Sequence, residues 1–399
     1  MHEIAISKEK EQHIMYISDS VKYIGVNDRE LDLFESQYIL EKGMAYNSYF
    51  ILDEKTAVMD TVDARGLEEW CKNLDEALAG RKLDYIVVQH MEPDHSGSLK
   101  YAIEKYPEAV IVGNAKTFMY LGQFFDVDIT NRKLEVKEGD TLSLGTHTLS
   151  FMMAPMVHWP EVMVTYESTE KILFSADAFG KFGTIDADED WACEARRYYF
   201  NIVGKYGAAV QALLKKAKAL DIEKILPLHG PLLMDNLGYY IDLYDKWSSY
   251  TPENKGVFIA CASIHGNTLK AAEILADKIR ALGEEKVVVS DLSREDIAEC
   301  VEDAFRYDRM ILCSATYDGN AFVPMEDFLH HLQIKAYQNR TVGLVENGTW
   351  APMAAKSMRT YLESMKNITI LEDVVTIKSA YKPENEAAMD GLAQAVVNA

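Results

Sequence analysis

One short segment of the chain carries four side chains that can bind a metal ion. They are His90, Glu92, Asp94 and His95. The segment follows a buried strand predicted over residues 85–88, and strand ends are where loops build sites. Pro93 should exclude a regular helix here, which would let neighbouring side chains turn toward two centres rather than one. Taken alone, the segment fits a polar surface loop as well as it fits a metal site.

Three more metal-binding side chains occupy similar positions further along the chain. They are His158, Asp177 and His229. Each comes shortly after a predicted strand, at residues 149–153, 171–174 and 224–226 respectively. Any one of them would also fit a helix cap or a loop histidine that is hydrogen-bonded to its neighbours. All seven together favour a metal site on one rim of a sandwich.

The seven side chains comprise four histidines and three carboxylates, with no thiol. Shared between two ions, they supply two nitrogens and one terminal carboxylate to each ion, and one aspartate remains to bridge them. Two imidazoles plus a carboxylate, with open coordination positions, form the ligand chemistry of non-haem iron. Zinc hydrolases on similar scaffolds tend to use more histidine. Glu92 favours iron, because a carboxylate at this position stabilises the ferric state.

A second set of candidate residues lies in three loops near the end of the chain. The first loop, residues 262–268, opens a helix, and its small and hydroxyl residues would leave backbone N–H groups facing a phosphate. It lacks the G-x-x-x-x-G-K and G-x-G-x-x-G patterns, which argues against a nucleoside triphosphate and weakens the case for a dinucleotide. The same residues would also suit an ordinary helix cap.

The two later loops, residues 314–320 and 346–352, each join a strand to a helix and carry a glycine and an aromatic residue. The rings of Tyr317 and Trp350 could flank a planar group while backbone amides bind its polar edge. The candidate cofactor-binding residues of the three loops are Ser263, Ile264, His265, Gly266, Asn267, Thr268, Ser314, Ala315, Thr316, Tyr317, Asp318, Gly319, Asn320, Asn347, Gly348, Thr349, Trp350 and Ala351.

Two predicted domains must position these residues. A polar stretch at residues 248–256 separates a helical pattern from an apolar strand, which predicts domains at residues 1–250 and 254–399. The first domain reads as short strands with helices outside them, which predicts an α/β sandwich. The second alternates strands and helices in five β/α units. This pattern predicts a doubly wound parallel sheet that binds its ligand at the carboxyl ends of the strands.

The composition excludes several classes of function. The 399 residues include 41 basic and 63 acidic side chains, and the net charge of −22 disfavours binding to nucleic acid or to an anionic membrane surface. No stretch approaches the ~20 apolar residues of a membrane-spanning helix, and residues 1–12 lack the apolar core of a secretory signal. The five cysteines are scattered and never spaced as C-x-x-C. We therefore expect a cytoplasmic protein without disulfides, a thiolate zinc site or an attached rubredoxin-type iron site.

The order and spacing of the seven metal-binding residues resemble those of the flavodiiron proteins, whose ligand set reads H-x-E-x-D-H followed by H, D and H. The resemblance covers about residues 20–399 and implies a metallo-β-lactamase-like αββα sandwich followed by a flavodoxin-like doubly wound parallel sheet. The ligands that it implies for one iron are His90, Glu92 and His158. Those that it implies for the other iron are Asp94, His95 and His229, with Asp177 as the bridge. In some members the histidine that matches His95 is displaced from the metal.

The second domain resembles flavodoxin, which implies FMN with its phosphate on the first loop and its isoalloxazine ring between the other two. His265 stands where flavodoxins commonly have threonine, but backbone amides could still bind the phosphate. Tyr198 matches a pocket tyrosine of the flavodiiron proteins that can hydrogen-bond an iron-bound ligand. An aromatic residue that packs on a helix face would look the same in the sequence.

The resemblance implies an oxidoreductase that reduces dioxygen to water, nitric oxide to nitrous oxide, or both. FMN accepts two electrons and two ferrous ions hold two more, which together match the four that dioxygen requires, whereas two nitric oxide molecules require only two. The family also implies a head-to-tail homodimer, or a dimer of such dimers, in which the flavin of one subunit lies beside the metal of the other. Electrons would come from a separate donor such as rubredoxin, or from a reduced deazaflavin.

Two other functions fit the same residues. One is a zinc hydrolase fused to a flavodoxin-like domain, and the presence of iron together with loss of activity on flavin removal would argue against it. The other is a flavodoxin-type electron carrier or quinone reductase whose first domain is only structural. Replacement of Glu92 or Asp177 by alanine would leave the flavin turnover of such a carrier intact.

Overall fold

The structure, a computed structural model, describes residues 15–399 of the chain. Short strands dominate the first part. They are β1 (Met15–Tyr16), β2 (Val21–Tyr23), β3 (Val26–Asp28), β4 (Leu33–Phe34), β5 (Tyr38–Ile39), β6 (Met44–Tyr46), β7 (Tyr49–Ile51), β8 (Ala57–Met59), β9 (Tyr85–Val87), β10 (Val110–Gly113), β11 (Lys133–Glu135), β12 (Thr141–Ser143), β13 (Thr148–Met153), β14 (Met163–Glu167), β15 (Ile172–Phe174) and β16 (Lys224–Leu226).

Helices connect these strands. They are α1 (Leu67–Leu78), α2 (Pro93–Ser96), α3 (Leu99–Lys105), α4 (Ala115–Phe124), α5 (Trp191–Tyr198), α6 (Gly207–Ala217) and α7 (Leu237–Ser248). Single 3-10 turns occur at Ala64–Gly66 and Gly204–Tyr206, and a π-helical turn at Tyr199–Val203 continues α5.

Two sheets of the first part pack face to face. One has the strand order β1-β2-β7-β8-β9-β10-β11 and the other the order β12-β13-β14-β15-β16. Buried apolar side chains such as Tyr49, Phe151 and Phe174 form a common core with residues of both sheets. Helix α1 buries Trp70 and helix α7 buries Trp247 in a second core that lies apart from the first. This arrangement confirms the predicted αββα sandwich.

Strand direction explains why the metal-binding residues share one rim. Strand β13 runs antiparallel to β14, which runs antiparallel to β15, and β15 runs parallel to β16. Strands β13, β15 and β16 therefore point the same way and end at the same edge. In the other sheet, β8, β9 and β10 are parallel to one another, so the segments that follow β8 and β9 leave the sheet side by side.

The second part of the chain alternates strands and helices. Its elements are β17 (Asn254–Ala262), α8 (Asn267–Ala281), β18 (Val287–Asp291), α9 (Ile297–Arg306), β19 (Tyr307–Tyr317), β20 (Asn320–Ala321), α10 (Val323–Ile334), β21 (Gln338–Asn347), α11 (Ala354–Glu363), β22 (Lys366–Ile377) and α12 (Glu386–Val397), with a 3-10 turn at Pro383–Asn385 before the last helix.

The parallel sheet of this part has the strand order β18-β17-β19-β21-β22, and β20 pairs with the end of β19 in the antiparallel direction. This is the flavodoxin-like order, in which the ligand crevice lies at the switch point beside β17 and β19. The structure confirms the predicted doubly wound sheet. Across residues 15–399, no helix is both long enough and apolar enough to cross a bilayer.

The two parts of the chain meet in a buried interface that contains ion pairs. The guanidinium group of Arg196, on α5, is 2% exposed and bonds both oxygens of the Glu253 carboxylate at 2.9 Å. It also bonds the carboxylate of Glu302 on α9. Beside this pair the rings of Phe200 and Phe305 stack with their centroids 4.1 Å apart. Because a buried charge that loses its partner is strongly destabilising, these contacts hold the two parts in one relative position.

Candidate metal centre and cofactor pocket

A buried carboxylate holds the segment that follows β9. Asp60, directly after β8, accepts hydrogen bonds from the backbone N–H of Gln89 at 2.7 Å and of His90 at 3.2 Å. The expectation that Pro93 excludes a helix is wrong, because Pro93 is the first residue of α2. Proline suits that position, since its fixed φ matches the helix and its missing N–H would have no helical partner there. The short helix carries two of the candidate ligands, Asp94 and His95.

The structure brings the seven predicted metal-binding side chains together in two adjoining groups. Within each group, one potential ligand atom of every member lies within 4.8 Å of those of the others. The first group is His90, Glu92, His158 and Asp177. The second group is Asp94, His95 and His229. These are the same two sets that the resemblance implies for two irons, with Asp177 between them.

Asp177 contacts both groups through different oxygens. Its Oδ2 lies 3.1 Å from Nε2 of His158 and 3.4 Å from Nε2 of His90. Its Oδ1 lies 3.2 Å from Nε2 of His95 and 4.0 Å from Nε2 of His229. A carboxylate that directs one oxygen to each of two ligand sets has the geometry of a bridge between two ions.

The remaining ligand atoms converge in the same way. Oε2 of Glu92 lies 3.2 Å from Nε2 of His90 and 2.9 Å from Nε2 of His158. In the second group, Oδ2 of Asp94 lies 3.3 Å from Nε2 of His95 and 3.2 Å from Nε2 of His229. Each group thus surrounds one point with two imidazole nitrogens and a carboxylate oxygen, as a metal ion with open positions requires.

The polar atoms of these groups are better placed to bind metal ions than to form hydrogen bonds with one another. None of the described residues donates a well-formed hydrogen bond to the carboxylate oxygens of Asp94 or Asp177. Burying a carboxylate without partners costs several kcal/mol, and a cation at each group would remove that cost. Burial alone would lower the pKa of His158, but Asp177 and Glu92 raise it to about 9, which shows that the pocket favours positive charge.

Glu161 fixes the orientation of His90. Its Oε1 lies 2.8 Å from Nδ1 of His90 and accepts the backbone N–H of Met91 at 2.9 Å. Because a carboxylate only accepts, His90 donates from Nδ1 and presents Nε2 to the metal group. The sequence prediction missed Glu161, which precedes β14 instead of following a strand. The feature of the sequence that could have identified Glu161 is an acidic residue directly before the apolar residues of that strand.

The histidines of the second group are held less strongly. Nδ1 of His229 donates to the backbone carbonyl of Ala45 at 2.8 Å, so Nε2 of His229 also faces the centre. Nδ1 of His95 has no hydrogen-bond partner within residues 15–399. One group is therefore backed by a carboxylate and the other by a neutral carbonyl, and the two metal positions are electrostatically unequal.

Tyr198 lies beside the second group. It is fully buried at the end of α5, and its ring centroid lies 5.5 Å from that of His229. Burial raises the pKa of Tyr198 well above its usual value, so the phenol keeps its proton. Its hydroxyl has no hydrogen-bond partner among the described residues.

The three predicted cofactor loops surround one cavity of about 620 Å³ at the carboxyl ends of β17, β19 and β21. This volume is typical of small-molecule sites. The predicted residues that line it are Ser263, Ile264, His265, Asn267, Thr268, Ala315, Thr316, Tyr317, Asp318, Gly319, Asn347, Gly348, Thr349, Trp350 and Ala351. Three other predicted residues, Gly266, Ser314 and Asn320, support the loops and are not part of the lining. The prediction also missed Met353 and Ser379, which do line the cavity.

Asn347 ties the edges of this cavity together. Its Nδ2 donates to Oγ1 of Thr268 at 3.2 Å and to the carbonyl of Ser379 at 2.9 Å, while its Oδ1 accepts the N–H of Ser379 at 3.0 Å. The first loop closes on itself, because Oγ of Ser263 accepts the N–H of Gly266 at 3.1 Å. Gly266 has φ +82°, which favours glycine, and it precedes the first residue of α8. The N-terminus of this 15-residue helix therefore opens toward the cavity and suits a phosphate.

Two aromatic side chains stand at the mouth of the cavity. Trp350 is 90% exposed and Tyr317 is 46% exposed. Large apolar rings that line a cavity and remain in solvent are suited to cover a planar ligand or a second protein surface. Both rings therefore fit a cofactor whose ring system sits between the second and third loops.

Comparisons with known proteins identify proteins that are similar to this chain in sequence and in structure. A family model described as "ODP family beta lactamase" matches residues 44–230. The anaerobic nitric oxide reductase flavorubredoxin of Aliivibrio fischeri is 28% identical over 386 residues, which covers 94% of this chain and 76% of the relative. The rubredoxin oxygen:oxidoreductase of Desulfovibrio gigas has a TM-score of 0.88 at 25% identity and covers 97% of this chain and 98% of its own. The flavodiiron protein of Giardia intestinalis has a TM-score of 0.88 at 26% identity over 98% of each chain.

Proposed function

Because this chain belongs to the flavodiiron proteins, a family of oxidoreductases, we propose that it reduces dioxygen to water, nitric oxide to nitrous oxide, or both. The observation that carries the proposal is the position of Asp177, whose two oxygens face two separate groups of metal-binding side chains. The names of the relatives from Aliivibrio fischeri and Desulfovibrio gigas cover both substrates.

Seven side chains would hold the two irons. Those for the first iron are His90, Glu92 and His158, those for the second are Asp94, His95 and His229, and Asp177 would bridge them. When bound, the di-iron centre and FMN supply up to four electrons and open coordination positions for a gas molecule. Glu161 and the carbonyl of Ala45 keep the imidazoles of His90 and His229 turned toward the centre. The Tyr198 hydroxyl would donate a hydrogen bond to the substrate, because burial keeps it protonated.

The three loops of the parallel sheet would bind FMN. The N–H groups at the start of α8 would bind its phosphate, and Tyr317 and Trp350 would flank its ring system. In our proposal two copies of the chain pair head to tail, so that the flavin of one subunit lies beside the metal centre of the other, either in a homodimer or in a dimer of dimers. The exposure of Trp350 supports this arrangement, because a partner surface would cover its ring. A separate protein such as rubredoxin would supply electrons.

One anaerobic experiment tests the proposal. The purified protein is analysed for flavin and iron, reduced chemically, and exposed to dioxygen or to nitric oxide in separate runs while the consumption of each gas is recorded. We expect two irons and one FMN per chain and consumption of at least one gas. Zinc in place of iron, or gas consumption that survives the removal of flavin, would contradict the proposal.

A further inference from the structure

A continuous column of tyrosine and tryptophan rings runs from the loop that carries Asp177 to the surface. We name it the aromatic column and define it by its members in order. They are Tyr244, Trp247, Trp191, Tyr240 and Tyr239. Successive ring centroids lie 5.4, 6.0, 4.6 and 5.4 Å apart. No aliphatic residue interrupts this series of ring contacts.

The inner end of the column touches the loop that carries the bridging aspartate. Oη of Tyr244 accepts the backbone N–H of Phe179, two residues after Asp177, at 2.6 Å. The two rings stack with centroids 4.2 Å apart, and Tyr244 is fully buried. At the outer end Tyr239 is 43% exposed. The column therefore joins the vicinity of the metal groups to solvent.

Packing alone does not account for the types of residue in and beside the column. Within the described part of the chain, Nε1 of Trp191 and Oη of the adjoining Tyr199 are buried without a hydrogen-bond partner. Each such group costs about 1–3 kcal/mol, a cost that an aromatic ring without a polar atom, such as phenylalanine, does not carry. What tyrosine and tryptophan add is the ability to lose one electron under conditions in which phenylalanine cannot.

Trp247 also has a proton acceptor. Its Nε1–H donates to Oε2 of Glu253 at 2.8 Å, and Arg196 holds both oxygens of that carboxylate. When the indole loses an electron, its N–H becomes a stronger acid, and a hydrogen-bonded carboxylate stabilises the resulting charge. The middle of the column is thus built to carry a transient positive charge.

We propose that the aromatic column conducts single oxidising equivalents away from the metal pocket to the surface, where they are discharged. The inference rests on the proposed function, since dioxygen that is incompletely reduced in the pocket is the source of the one-electron oxidant. That oxidant takes one electron from Tyr244 or Trp247, and each ring is then reduced by its outer neighbour. At the end Tyr239 or Tyr240 loses one electron and releases its phenolic proton to water. A soluble thiol restores the phenol by giving up one hydrogen atom, and two thiyl radicals combine to a disulfide.

The test maps oxidation in the iron-loaded holoenzyme after brief exposure to hydrogen peroxide. Trp191→Phe removes one oxidisable ring from the column and loses no hydrogen bond to the described residues. Trp247→Phe is the second variant, and Trp70→Phe is the matched control, because Trp70 is fully buried and belongs to none of the ring pairs of the column. Peptide mass spectrometry measures oxidation at Tyr239 and Tyr240 and at the ligand histidines, and freeze-quench EPR measures the aromatic radical.

We expect the wild type and Trp70→Phe to show a radical and oxidation mainly at Tyr239 and Tyr240. In Trp191→Phe and Trp247→Phe, oxidation at these tyrosines should fall several-fold while oxidation at the ligand histidines rises, with the initial rate of gas consumption unchanged. An oxidation map that is the same in all four proteins would overturn the inference. Absence of gas consumption in the wild type would count against the proposed function alone, because the mapping needs only iron and peroxide.

Discussion

The metal groups and the cofactor cavity are built from different parts of the chain. The metal groups consist of buried side chains, and His90, His95, Asp177 and His229 are each at most 1% exposed. The cavity is formed by three loops at the ends of strands, and its most exposed ring, Trp350, is 90% exposed. The metal groups thus depend on buried side chains that converge, whereas the cavity depends on the loops that join strands to helices. Substitutions in the metal groups should accordingly reduce activity and metal binding far more than substitutions in the cavity reduce FMN binding.

The largest effect is expected from Asp177→Ala. The substitution removes a carboxylate whose two oxygens face the two metal groups, so both proposed ions would lose a shared anionic ligand. We expect gas reduction to fall by at least about a hundredfold, while reduction of an artificial electron acceptor by the flavin is unchanged. Gas consumption and flavin turnover, measured on the same preparation, check this prediction. Loss of both activities together would show that Asp177 supports the fold instead.

A smaller effect is expected from Glu161→Gln. Glutamine keeps an oxygen that accepts from His90 and from the N–H of Met91 but removes the negative charge. Loss of such a charged partner typically weakens metal binding by about 10–100-fold. We expect iron to leave the variant faster under a chelator, and the Mössbauer signal of one iron to shift while the other stays unchanged.

Glu167→Gln is the matched control for this variant. Glu167 is also fully buried, and its Oε1 and Oε2 accept the backbone N–H groups of Thr169 and Glu170, each at 2.7 Å. Glutamine therefore loses one of these two bonds, which makes Glu167→Gln a more severe local change than Glu161→Gln. It lies at the other end of β14, away from the metal groups. If both variants retained iron equally, or if both irons shifted together in Glu161→Gln, the inequality of the two metal positions would be refuted.

In the cofactor cavity the largest expected effect is modest. Stacking on an aromatic ring is worth about 0.5–1.5 kcal/mol, so Trp350→Ala should weaken FMN binding by roughly 2–10-fold. His265→Ala is the control, because its side chain is exposed and the phosphate would be bound by backbone amides. Fluorescence titration of the flavin-free protein with FMN measures both. A larger loss in His265→Ala than in Trp350→Ala would mean that side chains, and not backbone, determine binding on this loop.

The difference between the metal groups and the cofactor cavity also explains what the sequence could predict. The seven metal-binding residues are chemically distinctive and most follow strands, so both their types and their positions were visible. Glu161 was missed because it comes before its strand, and its role depends on a contact with His90 across 71 residues. Ser379 was missed because it lies outside the three loops, and its backbone contacts with Asn347, at φ +72°, are marked by no residue type. Pro93 was misread because proline ends a helix in its interior but starts one at its first position.

The smallest expected effect concerns the joint between the sandwich and the parallel-sheet part of the chain. At this joint Lys335 of the parallel-sheet part contacts residues of the sandwich. Its Nζ donates to the carbonyl of Asn201 at 2.7 Å and lies 3.4 Å from Oη of Tyr38. Burial lowers the pKa of Lys335 to about 8, while the charge of Glu35 opposes this shift. Burial also raises the pKa of Tyr38, so Tyr38 stays neutral where Lys335 titrates.

In the unfolded chain Lys335 has a pKa of about 10.4. Between about pH 8 and pH 10 the unfolded chain therefore binds more protons at Lys335 than the folded chain does. The free energy of unfolding therefore gains a contribution that rises with pH in this window. Relative to Lys335→Met, the thermal midpoint of the wild type should rise by up to about 1–2 °C per pH unit. Calorimetry of both proteins from pH 7.5 to pH 10 measures the difference, in which the titration of all other groups cancels. If the curves of thermal midpoint against pH are parallel for the two proteins, Lys335 is charged in the joint throughout this range, and the joint tolerates a buried cation.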